Sequence, residues 1–266
     1  MGEKTGITWA NHTHNEWIGC TEINELCDNC YAKEQNRVFK WAANGDWGRG
    51  VLRHLTSEHN RGNLTRWDRK ARLAGEMRRV FCFSLSDLLD TEVPHEWTKD
   101  FFAKTKTTTN LWYLFLTKRP SLAERWQDHY SKEFSWWGTS IGMPGYENWW
   151  RQICGAPARL HWLSIEPLLR PFSLKSFTEP KKPDWIVVGG ESKRGGTPRP
   201  LDIEWIEEMR SECTGMSIPL FVKQVGQNAF YHGQPYKTAH LHGADPAEWP
   251  ESIQVQEFPT EKPEAK

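Results

Sequence analysis

Three features of the sequence predict an α/β fold: a full or partial (β/α) barrel of parallel strands. The first is a series of short β-prone runs, most of them continuously apolar, as expected of strands buried on both faces. The second is that helix-like stretches lie between several of these runs, and strands alternating with helices pair in parallel. The third is how the runs end. Each finishes in small or chemically active polar residues, and the C-terminal ends of strands are where a barrel carries its chemistry. A doubly wound open sheet is the alternative, but no G-x-G-x-x-G follows the first run.

In chain order the runs are Glu16–Cys20 (EWIGC), Val80–Asp87 (VFCFSLSD), Leu111–Arg119 (LWYLFLTKR), Trp136–Gly142 (WWGTSIG), Leu160–Glu166 (LHWLSIE), Trp185–Ser192 (WIVVGGES) and Ile218–Gln224 (IPLFVKQ). Helices are predicted over Ser121–Tyr130, Tyr146–Gly155 and Leu201–Cys213, the last with Asp202 as N-cap and Glu204 in its first turn. No repeat of fixed period is present. Residues 1–245 are read as one barrel domain and residues 246–266 as an acidic, Pro-rich tail, solvated from about Gln256.

Composition bounds the function. Lys plus Arg is 34 and Asp plus Glu is 34, so attraction to a polyanion must be local. It is local in Lys40–Arg79, where ten Lys/Arg face four Asp/Glu and Trp41, Trp47 and Trp67 are interleaved. That pattern suits a nucleic-acid backbone with base stacking, or equally a charged helical excursion anchored by its Trp residues. The 16 Trp, 12 Phe and 6 Tyr exclude a disordered chain. No apolar run reaches the roughly 18 residues of a membrane span, and the N-terminus lacks an apolar signal region. The expectation is a cytoplasmic protein with no membrane partner. In that compartment six cysteines point to thiol, metal or catalytic roles rather than disulfides.

Cys20, Cys27 and Cys30 form C-x6-C-x2-C in the context WIGCTEINELCDNCYA. Two metal chemistries fit. Zinc prefers four ligands, and His12 or His14 completes a Cys3His set, the basis of a zinc-stabilised, non-catalytic nucleic-acid-binding protein. An iron–sulfur cluster held by three thiolates leaves one iron open to bind S-adenosylmethionine and pass it an electron. Cys82, Cys154 and Cys213 lack any partner spacing and read as buried thiols, and His161 reads as a core histidine.

The other strand ends add candidates. Gly189, Gly190, Glu191 and Ser192 supply open backbone amides and a carboxylate that suits an α-amino group. Ser84, Ser86 and Asp87 either contact a cofactor or cap the chain that follows. Glu166, buried at a strand end, needs a partner such as Lys118 or Arg119. Lys118, Arg119 and Lys223 are cations suited to a carboxylate or phosphate, or to neutralising nearby acids. Lys118, Glu166 and Lys223 are the candidate catalytic side chains. Tyr31 is expected to pack beside the thiols.

TGITWA, WIGC…CDNCYA, VFCFSLSDLLD, FLTKRP, LSIEPLL, VVGGES and FVKQ follow one another over roughly residues 4–226. Together they resemble the phage-associated three-cysteine-motif family of radical-S-adenosylmethionine-like proteins. The resemblance implies a TIM-type partial barrel and a 4Fe-4S cluster on Cys20, Cys27 and Cys30. It further implies reductive cleavage of S-adenosylmethionine to a 5′-deoxyadenosyl radical, with Ser84, Ser86, Asp87 and Gly189–Ser192 as cofactor contacts. The loop between the first two thiols is longer than the commonest C-x3-C-x2-C spacing. The Gly-Gly-Glu turn ends about the sixth strand rather than the second. Members of this kind resemble isomerases of thymidine hypermodification, which implies a modified nucleotide or DNA as substrate and an electron donor as partner.

Overall fold

The computed structural model describes residues 5–192 and 197–260. Seven strands are β1 (His12–His14), β4 (Arg78–Cys82), β5 (Leu111–Thr117), β6 (Ser135–Ser140), β7 (Leu160–Ile165), β8 (Trp185–Gly189) and β10 (Leu220–Gln224). They form one parallel sheet in the order β1-β4-β5-β6-β7-β8-β10, the partial (β/α) barrel type that the sequence predicts. Short strands pair outside it: β2 (Trp17–Ile18) with β3 (His54–Leu55), and β9 (Leu201–Asp202) with β11 (Ala229–Tyr231), which also pairs β12 (Gln234–Tyr236). The described chain divides into two compact units, one of residues 5–140 and 148–161, the other of residues 141–147, 162–192 and 197–260.

In the first unit the apolar runs become strands because both faces are covered. Leu111–Phe115 of β5 and Trp136 and Trp137 of β6 are fully buried. Helices α1 (Tyr31–Phe39), α2 (Glu58–Arg61), α3 (Asn63–Ala74), α4 (His95–Thr107) and α5 (Glu147–Cys154) follow the strands. Phe101 and Phe102 of α4 pack edge-on against Phe115, with ring centroids 5.9 and 5.8 Å apart.

The first sheet strand is His12–His14, not the predicted Glu16–Cys20. Its sequence is polar, yet its side chains are buried by specific partners. His12 stacks on Trp67 of α3 at 4.3 Å, and His14 Nε2 lies 2.9 Å from Glu16 Oε2. Burial pushes the His14 pKa down, against the opposing pull of Glu16. The predicted helix over Ser121–Tyr130 is instead two single 3-10 turns, Pro120–Leu122 and Glu124–Trp126.

In the second unit α6 (Ile203–Met216) starts at Asp202 as expected, although the Asp202 side chain makes no capping hydrogen bond. The segment read as a tail is packed through much of its described length: Trp249 and Ile253 are buried, and Phe258 packs against Trp185 and Phe221. Its last residues, 261–266, lie outside the described residues. Among the described residues no helix is long and apolar enough to cross a membrane.

Candidate functional site

The cysteine-bearing loop leaves β2 and lies at the C-terminal edge of β1, β4 and β5. Gly19 makes the turn. It adopts φ +111° and bridges to Ser86 beyond β4, and a Cβ on it would come within 2.9 Å of Arg53 Cδ. The matching turn after β4 is made by Phe83 at φ +67°, a strained conformation for a bulky residue. Phe83 is held there by Trp17 and Phe101, at 4.4 and 4.7 Å, and by its amide on the His14 carbonyl.

Cys20 follows that turn. Its sulfur receives the Arg119 guanidinium at 3.8 Å, and the other Arg119 nitrogen donates to the Thr21 carbonyl at 2.8 Å. Cys27 closes a 3-10 turn capped by Asn24, and Cys30 is the N-cap residue of α1. The three thiols are free and partly buried. Burial pushes the Cys20 thiol pKa well up, as does Asp87, while Arg119 opposes. Burial also raises Cys30, against the Lys33 amide and the Lys118 charge.

A buried charge quartet fixes this loop. Asp90 Oδ2 lies 2.7 Å from Arg53 Nη2 and accepts from the Thr21 amide at 3.0 Å. Arg119 pairs with Asp87 at 2.9 Å and with Asp90 at 3.4 Å. Arg53 also donates to the Thr21 hydroxyl. The N–H, C=O and hydroxyl of Thr21 are therefore each clamped by a charged side chain. Asn15, fully buried, ties the neighbouring turn by donating to Ser84 Oγ and accepting from the Leu85 amide. Asn15, Thr21, Arg53 and Asp90 were not among the predicted site residues. Arg53 sits in the basic excursion, where its charge reads as surface, and apart from Thr21, which follows Cys20 directly, nothing in the spacing links them to the cysteines.

Several predicted residues have internal duties. Asp87 accepts from the Leu89 and Lys118 amides, the Thr117 hydroxyl and Arg119, so its carboxylate is fully engaged. Ser86 donates to the Trp17 carbonyl. Tyr31 reaches from α1 to the Ser84 carbonyl at 2.6 Å. His12 stacks on Trp67 of α3, and His14 packs on Phe101 of α4 and pairs with Glu16, so both histidines of the zinc arrangement have partners of their own. Among the described residues no three His, Cys, Asp or Glu side chains converge closely enough to hold one metal ion. Lys118 has no ion-pair partner among the described residues.

The second unit gathers the remaining strand-end candidates. Glu166 pairs with Lys223 at 2.7 Å, not with the predicted Lys118 or Arg119. Glu191 is gripped by Arg199, whose backbone amide and guanidinium both donate to it. Gly190 has a packing reason of its own: a Cβ there would fall 2.2 Å from the Val225 carbonyl oxygen. Gly189 lies against Gln224, whose amide donates to the Gly190 carbonyl at 2.9 Å and reaches Ser192 Oγ at 3.4 Å. His161, in the first unit, is a core histidine bound to the Ala156 carbonyl, as expected.

No curated protein matches the sequence. Solved structures that resemble the fold include a cysteine-to-serine variant of spore photoproduct lyase, at 13% identity over 70% of this chain and 57% of that chain, with a TM-score of 0.48. A double variant of that lyase with bound AdoMet and dinucleoside spore photoproduct gives 13% identity over 68% and 56%, with a TM-score of 0.48. The lyase complexed with dinucleoside spore photoproduct gives 13% over 66% and 54%, with a TM-score of 0.46. The chain thus spans a little over half the length of these structures. By its match over residues 4–251, the chain belongs to the family described as protein of unknown function (DUF5131).

Proposed function

We propose that this protein is a radical S-adenosylmethionine enzyme, with Cys20, Cys27 and Cys30 as ligands of a 4Fe-4S cluster. One observation carries the reading: three thiols share one loop at the C-terminal edge of parallel strands, with a guanidinium on the Cys20 sulfur and a helix N-terminus at Cys30. Both features favour thiolate charge. The donor set fits a cluster better than a single ion. A single zinc wants a fourth protein ligand, and His14, one of the two offered by the sequence, is buried and engaged by Glu16 at 2.9 Å. A cluster held by three thiolates needs no fourth protein ligand.

Held by Cys20, Cys27 and Cys30, such a cluster would supply one-electron reduction of the sulfonium of S-adenosylmethionine and so hydrogen-atom-abstraction chemistry. The chain's own residues do the rest. Arg53 and Arg119, paired with Asp87 and Asp90, keep the loop in one conformation. Lys118, whose ammonium has no ion-pair partner among the described residues, is suited to the cofactor carboxylate. Among the proposed cofactor contacts, Ser84 and Ser192 are half-buried hydroxyls, Gly189 and Gly190 contribute backbone, and Ser86, Asp87 and Glu191 act by shaping the turns. Glu166 and Lys223 remain candidate reacting groups as a pair.

For the substrate we propose a thymidine adduct in phage DNA, in which a glycine attached through nitrogen is reattached through its α-carbon. Such a hydrogen is hard to remove as a proton and accessible to a radical. Support for a polyanionic partner comes from α3. Its exposed arc carries Arg66, Arg69, Lys70 and Arg72, while its acid, Asp68, is half-buried and occupied by Asn110. Cations at i, i+3 and i+4 repel one another, a cost that binding phosphates relieves. The Trp residues of the excursion contribute less, since Trp67 is buried and Trp47 half-buried, leaving Trp41 exposed against Phe39. An electron donor completes the set of partners.

The test is anaerobic incubation of the iron-loaded protein with dithionite and S-adenosylmethionine, followed by assay for 5′-deoxyadenosine. Release of that product, increased by DNA bearing the glycine adduct, is the expected result. A loaded protein that releases none contradicts the enzymatic reading. Release that the adduct does not stimulate removes the substrate.

A further inference from the structure

We infer that Arg119 is a positioning residue that sets the reduction potential of the metal centre through the Cys20 sulfur, an inference that rests on the cluster reading above. Arg119 follows β5 and is held from two sides by Asp87 and Asp90. Its side chain is only 10% exposed. One nitrogen, Nη1, is shared between Asp87 Oδ2 at 2.9 Å and Cys20 Sγ at 3.8 Å, while Nη2 donates to the Thr21 carbonyl at 2.8 Å. The fork therefore grips both the ligand sulfur and the backbone of the next residue.

This arrangement has two effects. Arg53 and Arg119 face the buried Asp87 and Asp90, and the partly exposed Glu92 also pairs with Arg53 at 3.3 Å, so an added thiolate at Cys20 joins a group with no surplus positive charge. Buried charge of that kind is tolerated only where hydrogen bonds reach it. Arg119 is the charged donor that reaches the sulfur. Hydrogen bonds to cluster sulfurs and nearby positive charge make reduction easier, because the reduced state carries the extra electron. Arg119 thus raises the potential. Arg53, by contrast, holds the same loop through Asp90 and Thr21, and no hydrogen bond from it to a cysteine sulfur is seen among the described residues. The two arginines separate holding the loop from acting on the sulfur.

Lysine in place of Arg119 keeps the charge but is a single point donor, unable to span Asp87, Thr21 and Cys20 together. The experiment compares wild type, Arg119→Lys and Arg53→Lys, each purified anaerobically and reconstituted. Iron per chain, far-ultraviolet circular dichroism and the midpoint potential from a redox titration read by EPR are measured. Arg119→Lys is expected to keep its fold and iron while its midpoint falls enough to change the reduced-to-oxidised ratio about tenfold at a fixed potential, equivalent to about 59 mV for one electron. Arg53→Lys is expected to move the midpoint by less than a third of that. Equal shifts in the two variants, or no shift in an iron-loaded Arg119→Lys, overturn the inference and leave the cluster reading standing. If Arg119→Lys does not fold, Arg119→Gln, which retains a donor at reduced reach, takes its place with the same criteria. A wild-type protein that takes up no iron overturns both.

Discussion

Thr21 shows how much one residue contributes to this site without any chemistry of its own. Each of its polar backbone groups and its hydroxyl is held by Asp90, Arg119 or Arg53, and the Cys20 position follows from that. Arg53 and Asp90 have side chains 1% and 0% exposed, and removing Asp90 leaves the buried Arg53 with only the partly exposed Glu92 at 3.3 Å. Asp90→Ala is therefore expected to cost about 3–5 kcal/mol in urea unfolding; a loss below about 1 kcal/mol would mean that the quartet is solvated in solution. Gly190→Ala tests the second unit in the same way. With its Cβ 2.2 Å from the Val225 carbonyl oxygen, the backbones must separate, and a destabilisation of about 3 kcal/mol or more is expected. His14 supplies a pH test. Burial lowers its pKa from the ordinary 6.5, so below that pH the unfolded chain takes up a proton that the folded chain refuses. Unfolding free energy should fall as pH drops through that value, and His14→Gln should flatten the slope. An unchanged slope in the variant would assign the effect to another group.

At the scale of elements, β4, β5, β6, β7, β8 and β10 of the seven-stranded sheet were legible because they are apolar and largely buried, whereas the short β9, β11 and β12 were not. Neither was β1. The histidines of HTH are held by Trp67, Phe101 and Glu16, partners that sequence spacing does not announce. The predicted helix after β5 fails as two 3-10 turns, beginning at a buried Pro120. The cysteine loop was legible as a motif, but the device that holds it was not, since Arg53 and Arg119 come from distant segments and meet at Asp90. The Gly-Gly-Glu turn was legible as a turn; its glycines answer to a close backbone crossing and its glutamate to Arg199. On α3, replacing Arg66, Arg69 and Arg72 with Gln should weaken binding of duplex DNA and reduce the slope of log K against log salt by up to about 0.9 for each phosphate no longer neutralised. Iron content should not change. An unaltered slope would remove α3 from the DNA-binding face.

For the whole molecule, the proposed cluster rests on the three cysteines of one loop and on none of the other three. Cys82 is buried in β4 and Cys213 in α6, and burial pushes both thiols up. Cys154, at the end of α5, lies away from the loop in sequence and has no partner spacing. The most direct measurement is the iron and acid-labile sulfide content, with the visible absorption spectrum, of anaerobically reconstituted protein. It is made on wild type, on the Cys20→Ala, Cys27→Ala, Cys30→Ala triple variant, and on the Cys82→Ser, Cys154→Ser, Cys213→Ser triple variant. About four irons and four sulfides per chain are expected in wild type and in the second variant, and none in the first. A colourless wild type with a single zinc, or iron retained after loss of Cys20, Cys27 and Cys30, would contradict the claim.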